Sequence, residues 1–243
     1  MNSLGLAVQD GLRAVPESSR LPVMQRCTSL FEQSQSANAV FLIEEGLVKL
    51  TRTNASGSRI ILAICGPGQL VGEEALAEEE QTYHTEAQTI TAVTAHRIPR
   101  SSASNALHTN KEISSAIITH LLDRKQEMAE KVELLCVHDV EYRILHYLAQ
   151  LSSLLSGVAN GDGYQIPITQ LELADLIGAT RETTSTTLNQ LERRGLVKLS
   201  RRLLTVPSPQ DLRMAASNRT ALAATAAAGA SSSSPMATAA ANN

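Results

Sequence analysis

The sequence predicts an α+β chain, with an N-terminal antiparallel β-roll, a long dimerising helix and a C-terminal winged helix-turn-helix. Three observations carry the prediction. Short apolar runs alternate with turn residues from about 20 to 100, residues 111–137 hold no Gly or Pro, and residues 168–197 combine a helix start, a Gly stop and a second helix start.

In the roll, Val40-Phe41-Leu42-Ile43 runs into Glu45-Gly46, and Leu47-Val48-Lys49-Leu50-Thr51 alternates apolar with polar. Asn54-Ala55-Ser56-Gly57 supplies a turn. Ile60-Ile61-Leu62-Ala63-Ile64 then ends at Gly66-Pro67-Gly68, and residues 87–98 alternate again. Short strands at this spacing fit an antiparallel barrel or roll. The domains read as an N-terminal segment over 1–19, the roll over 20–100, the helix region over 101–138, the DNA-binding unit over 139–213 and a disordered tail over 214–243.

Ser101-Ser102-Ala103-Ser104 looks like a helix start. Beyond it, Ile118, Leu121, Met128, Val132 and Leu135 fall on a and d positions of one heptad frame, with Lys125 at the intervening a position. A seam of this kind pairs with a second copy of itself, and one polar a residue sets register and strand number. Packing of the same helix on its own domain is the competing reading.

In the C-terminal unit, Thr169 and Glu172 form a capping box, hydroxyl to backbone N–H and carboxylate back to the cap. Leu171, Ala174 and Ile177 give that helix one apolar face, and Gly178 ends it because Gly tolerates a left-handed exit. Thr180 caps a second helix, with Arg181, Glu182, Ser185 and Thr186 outward and Thr184, Leu188 and Leu191 inward. That spacing is a helix-turn-helix, whose second helix enters the major groove N-terminus first. Arg181 and Glu182, with Ser185, are the candidate base readers, since Arg pairs with guanine O6 and N7 and Glu accepts from cytosine N4. Thr169, Gln170, Thr180, Thr183, Arg201 and Arg202 are the candidate phosphate contacts. Residues 196–206 read as a two-stranded wing.

Charge agrees. The chain carries net charge −3, yet residues 181–202 hold six cations against Glu182 and Glu192, while residues 44–90 hold eight glutamates against three cations. A basic segment in a mildly acidic chain marks a localised polyanion site. With no Trp and two Phe, stacked recognition of single strands lacks its aromatic platforms. No apolar run is long enough to span a membrane. Three dispersed cysteines, Cys27, Cys65 and Cys136, read as buried, inert, reduced thiols of a cytoplasmic protein. P-loop, G-x-S-x-G and H-E-x-x-H motifs are absent, so the chain does not read as an enzyme.

Residues of about 20–213 resemble the CRP/FNR (cAMP receptor protein/fumarate-nitrate regulator) family. The likeness rests on Gly66-x-Gly68-x-x-x-Gly72-Glu73-x-x-Leu76, Asp139-x-x-x-Arg143-Ile144 and Gly178-Ala179-Thr180-Arg181-Glu182-Thr183. It implies a cyclic-nucleotide-binding-like roll, a homodimer on a bent palindrome in double-stranded DNA, and control through RNA polymerase. Three departures stand out. Where cyclic-AMP binders place Arg-Ser, about ten residues past the Gly-Glu, this chain has Tyr83-His84, which cannot give the bidentate charged contact a phosphate favours. Met128-Ala129 replaces the Thr-Ser that meets adenine. The resemblance thus places an effector pocket at Glu73, Tyr83, His84 and Met128, argues against cyclic AMP, and leaves the effector unknown. Three scattered cysteines do not hold the four-Cys iron–sulfur cluster of the oxygen sensors. Finally, five hydroxyl residues over 183–187 weaken the reading helix. An alternative therefore stands beside DNA reading: a sensor or scaffold dimer whose degenerate helix-turn-helix contacts protein.

Overall fold

The structure, a computed structural model, describes residues 3–155, 159–160 and 163–217. Helix α1 (Leu6–Arg13) precedes eight strands that build the roll: β1 (Ser19–Arg20), β2 (Ser29–Phe31), β3 (Ala39–Glu45), β4 (Val48–Thr53), β5 (Arg59–Cys65), β6 (Leu70–Val71), β7 (Glu86–Thr89) and β8 (Thr94–Pro99). They form two four-stranded antiparallel sheets, ordered β1-β8-β3-β6 and β2-β7-β4-β5. In β3 the first five residues are all buried, so this strand is the centre of the roll rather than a half-exposed one. Three of the six Phe and Tyr side chains, Phe31, Phe41 and Tyr83, meet here. Phe31 stacks on Tyr83 with ring centroids 3.9 Å apart and lies 5.7 Å from Phe41. Gly72 (φ 83°) sits against this stack: an added Cβ would lie 3.0 Å from Tyr83 Cε1 and 3.1 Å from Ala39 O, so the turn needs Gly twice over.

Helix α2 (Arg100–Thr109) begins directly after Pro99, without a side-chain cap from the serines that follow. Helix α3 (Lys111–Val137) starts at Asn110, whose side chain accepts from the N–H groups of Glu112 and Ile113. Its 27 residues make it roughly 40 Å long at the usual helical rise. Asp139 then caps α4 (Val140–Leu154) by accepting from Tyr142 N.

The C-terminal unit continues with β9 (Ala159–Asn160), β10 (Gly163–Ile166), α5 (Gln170–Ile177), α6 (Arg181–Arg193), β11 (Lys198–Ser200) and β12 (Leu203–Val206). The expected two-stranded wing is thus half of a sheet ordered β11-β12-β10-β9. Strand β10 lies ahead of α5 and is not legible beside its Pro and Gly neighbours. Residues 209–217 are helical (α7), with Leu212 and Ala216 buried. Residues 214–217 therefore depart from the expected disordered tail; the rest of that expectation falls outside the described residues.

Two apolar clusters make the core, and their border does not follow the domains. One joins the roll to α1, α2 and the start of α3. In the other, Leu47, Ile61, Ile64 and Ile90 of the roll pack with α4, α5 and α6. The C-terminal unit is therefore seated on the outer face of the roll. Of the cysteines only Cys65 is buried; Cys27 and Cys136 are exposed, against expectation, because Cys27 lies in a surface turn and Cys136 on the outer face of α3. Among the described residues no helix is long and apolar enough to cross a membrane.

Candidate nucleic-acid interface and roll cavity

The helix-turn-helix is built by its caps. Thr169 Oγ1 accepts from Glu172 N at 3.1 Å, and Thr169 N donates to Glu172 Oε2 at 2.9 Å. Gly178 closes α5 in the left-handed region (φ 63°), with Leu135 Cδ2 only 2.8 Å from where a Cβ would stand. Thr180 then caps α6, accepting from Thr183 N at 3.2 Å. The apolar face of α5 is Leu173, Ala174, Leu176 and Ile177; Leu171, expected there, is 48% exposed. Glu172 takes the inward place that Leu171 vacates, because it is held from the roll.

The threonine run is accommodated by back-bonding. Thr184 is fully buried, its hydroxyl donating to Thr180 O at 2.8 Å, and Thr187 donates likewise to Thr183 O at 2.9 Å. These bonds satisfy the inward hydroxyls without an apolar partner. Arg181, Glu182 and Thr183 are exposed at the start of α6 and Ser185 is half-buried. Among the described residues, neither Arg181 nor Glu182 makes an ion pair. Arg201 and Arg202 form the exposed tip between β11 and β12, and Arg202 (φ 60°) adopts a left-handed backbone. Arg194 is different: it pairs with Glu141 of α4 at 2.6 Å and ties α6 to its own domain. Thr180 and Thr183 face Arg59 and Ile60 of β5 across a cleft of about 420 Å³.

A polar clamp fixes α5 to the roll, and sequence reasoning does not find it. Glu172 accepts from Lys49 Nζ at 3.0 Å and Arg26 Nη2 at 2.7 Å, and Lys49 and Glu172 are both buried. Burial pushes the Glu172 carboxyl up, but the Thr169 N–H and Lys49 outweigh it and hold the group below the usual range. Arg26 also donates to Ile90 O and Pro167 O, at 2.6 and 2.8 Å. From α3, the buried Lys131 donates to Ile61 O at 2.8 Å and to Leu176 O at 2.6 Å. One side chain thus joins roll, long helix and α5. Burial, with Arg143 nearby, brings Lys131 down to about 8. The signal for this clamp is non-local: Lys49 reads as an outward residue of an alternating strand, and Lys131 as a solvated helix position.

The roll opens on a cavity of about 390 Å³ between β4, β5 and α3. Leu50, Leu62, Ala63, Leu121 and Met128 give its apolar wall; Glu73, Glu74, Glu127, Thr85 and Arg124 give its polar one. Two of the expected pocket residues are here, Glu73 and Met128. The other two are not. Tyr83 is buried in the aromatic stack, its hydroxyl donating to Ala39 O at 2.6 Å. His84 leaves the cavity with its side chain 64% exposed. Glu73 is gripped by His120 Nε2 at 2.8 Å and Arg124 Nε at 3.4 Å; burial raises its carboxyl, and these partners more than reverse that. Arg124, the residue that organises this wall, escapes the heptad reading because it lies beside the seam. Among the described residues no cluster of His, Cys, Asp and Glu is placed to hold a metal.

The seam residues Ile118, Leu121, Met128 and Val132 are exposed, Ile118 at 59%, while the roll-facing positions of α3 are Ile113, Ile117, His120, Lys131 and Leu134. Leu135 is half-buried against the turn at Gly178, and Lys125 is exposed.

The family model of the cyclic nucleotide-binding domain matches residues 24–110, and that of the Crp-like helix-turn-helix domain matches residues 142–215. The chain belongs to the CRP/FNR family of transcription regulators. The cAMP-activated global transcriptional regulator CRP of Salmonella typhimurium is 28% identical over 170 residues, 70% of this chain and 81% of that protein. The CRP-like cAMP-activated global transcriptional regulator of Mycobacterium tuberculosis is 26% identical over 186 residues, 76% and 82% of the two chains. Among solved structures, the c-di-GMP responsive global regulator CLP of Xanthomonas campestris superposes with TM-score 0.71 at 23% identity, over 84% of this chain and 100% of that one. A CRP-family transcriptional regulator from Thermus thermophilus gives TM-score 0.71 at 22% identity, over 81% and 97%. Both structural likenesses speak to the fold. As a CRP/FNR regulator, the chain is a DNA-binding transcription regulator of mixed α+β fold, the class expected from its sequence.

Proposed function

We propose that the chain works as a homodimer that reads a palindromic duplex site with α6 and controls transcription through RNA polymerase, in the cytoplasm. An effector other than cyclic AMP sets its competence, or none is needed. The observation that carries this reading is the pair Arg181 and Glu182, exposed and free of ion pairs among the described residues at the start of a capped α6, beside a basic wing tip. A side chain kept exposed and unneutralised at a helix start is available to base edges. The exposed apolar face of α3 supports pairing of two copies, which sets two reading helices about one DNA turn apart. Lys131 links that pairing to α5, so a ligand favouring one α3 arrangement shifts the population of α5 positions.

The test compares Arg181→Ala with Arg201→Ala on a selected duplex and on unrelated duplexes. The reading expects Arg181→Ala to relax preference at one base position, costing about 1–3 kcal/mol there. Arg201→Ala weakens all duplexes alike and flattens the salt slope by about one contact. Unchanged preference in Arg181→Ala would remove α6 as the reading element.

A further inference from the structure

We propose that the roll cavity takes a ligand without negative charge, an apolar body carrying an ammonium or another N–H-rich head. The inference rests on the reading of the roll as an effector site and names the ligand chemistry of that site.

Among the described residues the cavity wall holds one cation, and each of its three nitrogens already has a partner. Arg124 directs Nε to Glu73 at 3.4 Å, Nη1 to Glu127 at 3.1 Å, and Nη2 to Cys65 Sγ at 2.8 Å and Leu70 O at 3.3 Å. A phosphate or carboxylate entering here would meet Glu73, Glu74 and Glu127, three carboxylates against that one guanidinium. To take Arg124 as its partner it would have to compete with Glu73 and Glu127 for the same guanidinium, in a half-closed site where separating paired charges is expensive. His120 is no reserve, because its Nε2 is already on Glu73 at 2.8 Å. Apart from the Thr85 hydroxyl, which donates or accepts, the polar side chains this wall adds are carboxylates, which only accept. A carboxylate has about four lone-pair sites; Glu74 uses Oε1, which accepts from His84 N at 3.0 Å and lies 3.7 Å from His84 Nδ1. Such a wall selects donors.

The opposite wall sets the body. Leu50, Leu62, Ala63, Leu121 and Met128 line the apolar side of a cavity whose whole volume is about 390 Å³, in the lower range of small-molecule sites and large enough for a two-ring hydrocarbon. Leu121 and Met128 belong to the seam of α3 and are 44% and 42% exposed. In the proposed dimer the partner helix lies over them, so the body of the ligand sits where pairing is decided.

The experiment uses one scaffold in three charge states on the full-length protein: 2-naphthylmethylamine, 2-naphthalenemethanol and 2-naphthoate, with cyclic AMP alongside, by calorimetry at neutral pH. The amine is expected to bind most tightly, about tenfold or more above the carboxylate, with an advantage that shrinks in high salt. Glu74→Gln should reduce amine affinity and leave the alcohol unchanged, which a merely structural role of Glu74 would not do. Leu62→Trp, filling the apolar half, should weaken amine and alcohol alike. Naphthoate or cyclic AMP binding as well as the amine, or no probe binding at all, would overturn the proposal. Duplex binding is measured on the same preparations. Intact DNA binding with the wrong charge order refutes the ligand chemistry alone, and lost DNA binding with the right order refutes the DNA reading alone.

Discussion

Glu172→Gln isolates the clamp between the roll and α5. The substitution keeps the size of the side chain and part of the capping box but removes the charge that Lys49 and Arg26 face at 3.0 and 2.7 Å. Lys49 is 6% exposed and cannot turn to water without opening the core. Removing one partner of a buried pair costs about 3–5 kcal/mol, chiefly because the other charge is left unpaired. The weakened cap adds about 1 kcal/mol at most. For a chain of this size that lowers the melting temperature by roughly 6–24 °C, read by calorimetry or by circular dichroism with urea. A double-mutant cycle with Lys49→Met apportions the loss. In the Lys49→Met background the same change should cost only about 1–2 kcal/mol, from the cap and Arg26. A loss under about 0.5 kcal/mol, or equal losses in both backgrounds, would refute the clamp. Acid should act in the same direction. The folded pKa of Glu172 is depressed, so its contribution is full above the ordinary carboxylate value and is lost as pH falls through the folded one.

Lys131 gives the opposite sign. Its folded pKa of about 8 lies below the ordinary lysine value, so between the two the unfolded chain holds more protons and stability rises with pH, by up to about 3 kcal/mol. Urea melts from about pH 7.5 to about pH 9.5 should show the rise in the native protein and its absence in Lys131→Met; the upper limit stays below the ordinary tyrosine value of about 10, above which Tyr147, raised to about 12, begins to cost stability. Arg202→Gly should relieve the left-handed backbone, stabilising the fold by about 0.5–1 kcal/mol, while weakening every duplex alike. Loss of stability would remove the strain, and unchanged DNA affinity would remove the wing contact. Gly178→Ala places a Cβ 2.8 Å from Leu135 at φ 63° and should cost about 1–3 kcal/mol in denaturant melts; a neutral result would mean that the turn is not tight.

The parts of this molecule that are legible in the sequence are those encoded within one turn of chain. Thr169 with Glu172, Gly178 and Thr180 announce their caps because each partner lies a few residues away. The strands of the roll and the run of α3 free of breakers show in period and punctuation. The contacts that seat one domain on the other are silent, since Lys49 meets Glu172 across more than a hundred residues and Lys131 looks like any solvated helix position. The same blindness accounts for the errors. The place of Tyr83 after Gly72-Glu73 puts it in the pocket, yet ring stacking on Phe31 draws it into the core. Helical spacing puts Leu171 on the apolar face of α5, which turns instead to bury Glu172 against two cations from the roll. Resemblance gives the place of the cavity; only the structure shows Arg124 filling it with already committed charge.

The central claim, a dimer that reads duplex DNA, is tested most directly by retaining a randomised duplex library on the purified protein at two salt concentrations, without added ligand, and sequencing what stays. The account predicts an enriched palindrome with half-sites about one helical turn apart, held less tightly at the higher salt. Retention without an enriched sequence, or none at either salt with naphthylmethylamine also present, would contradict it.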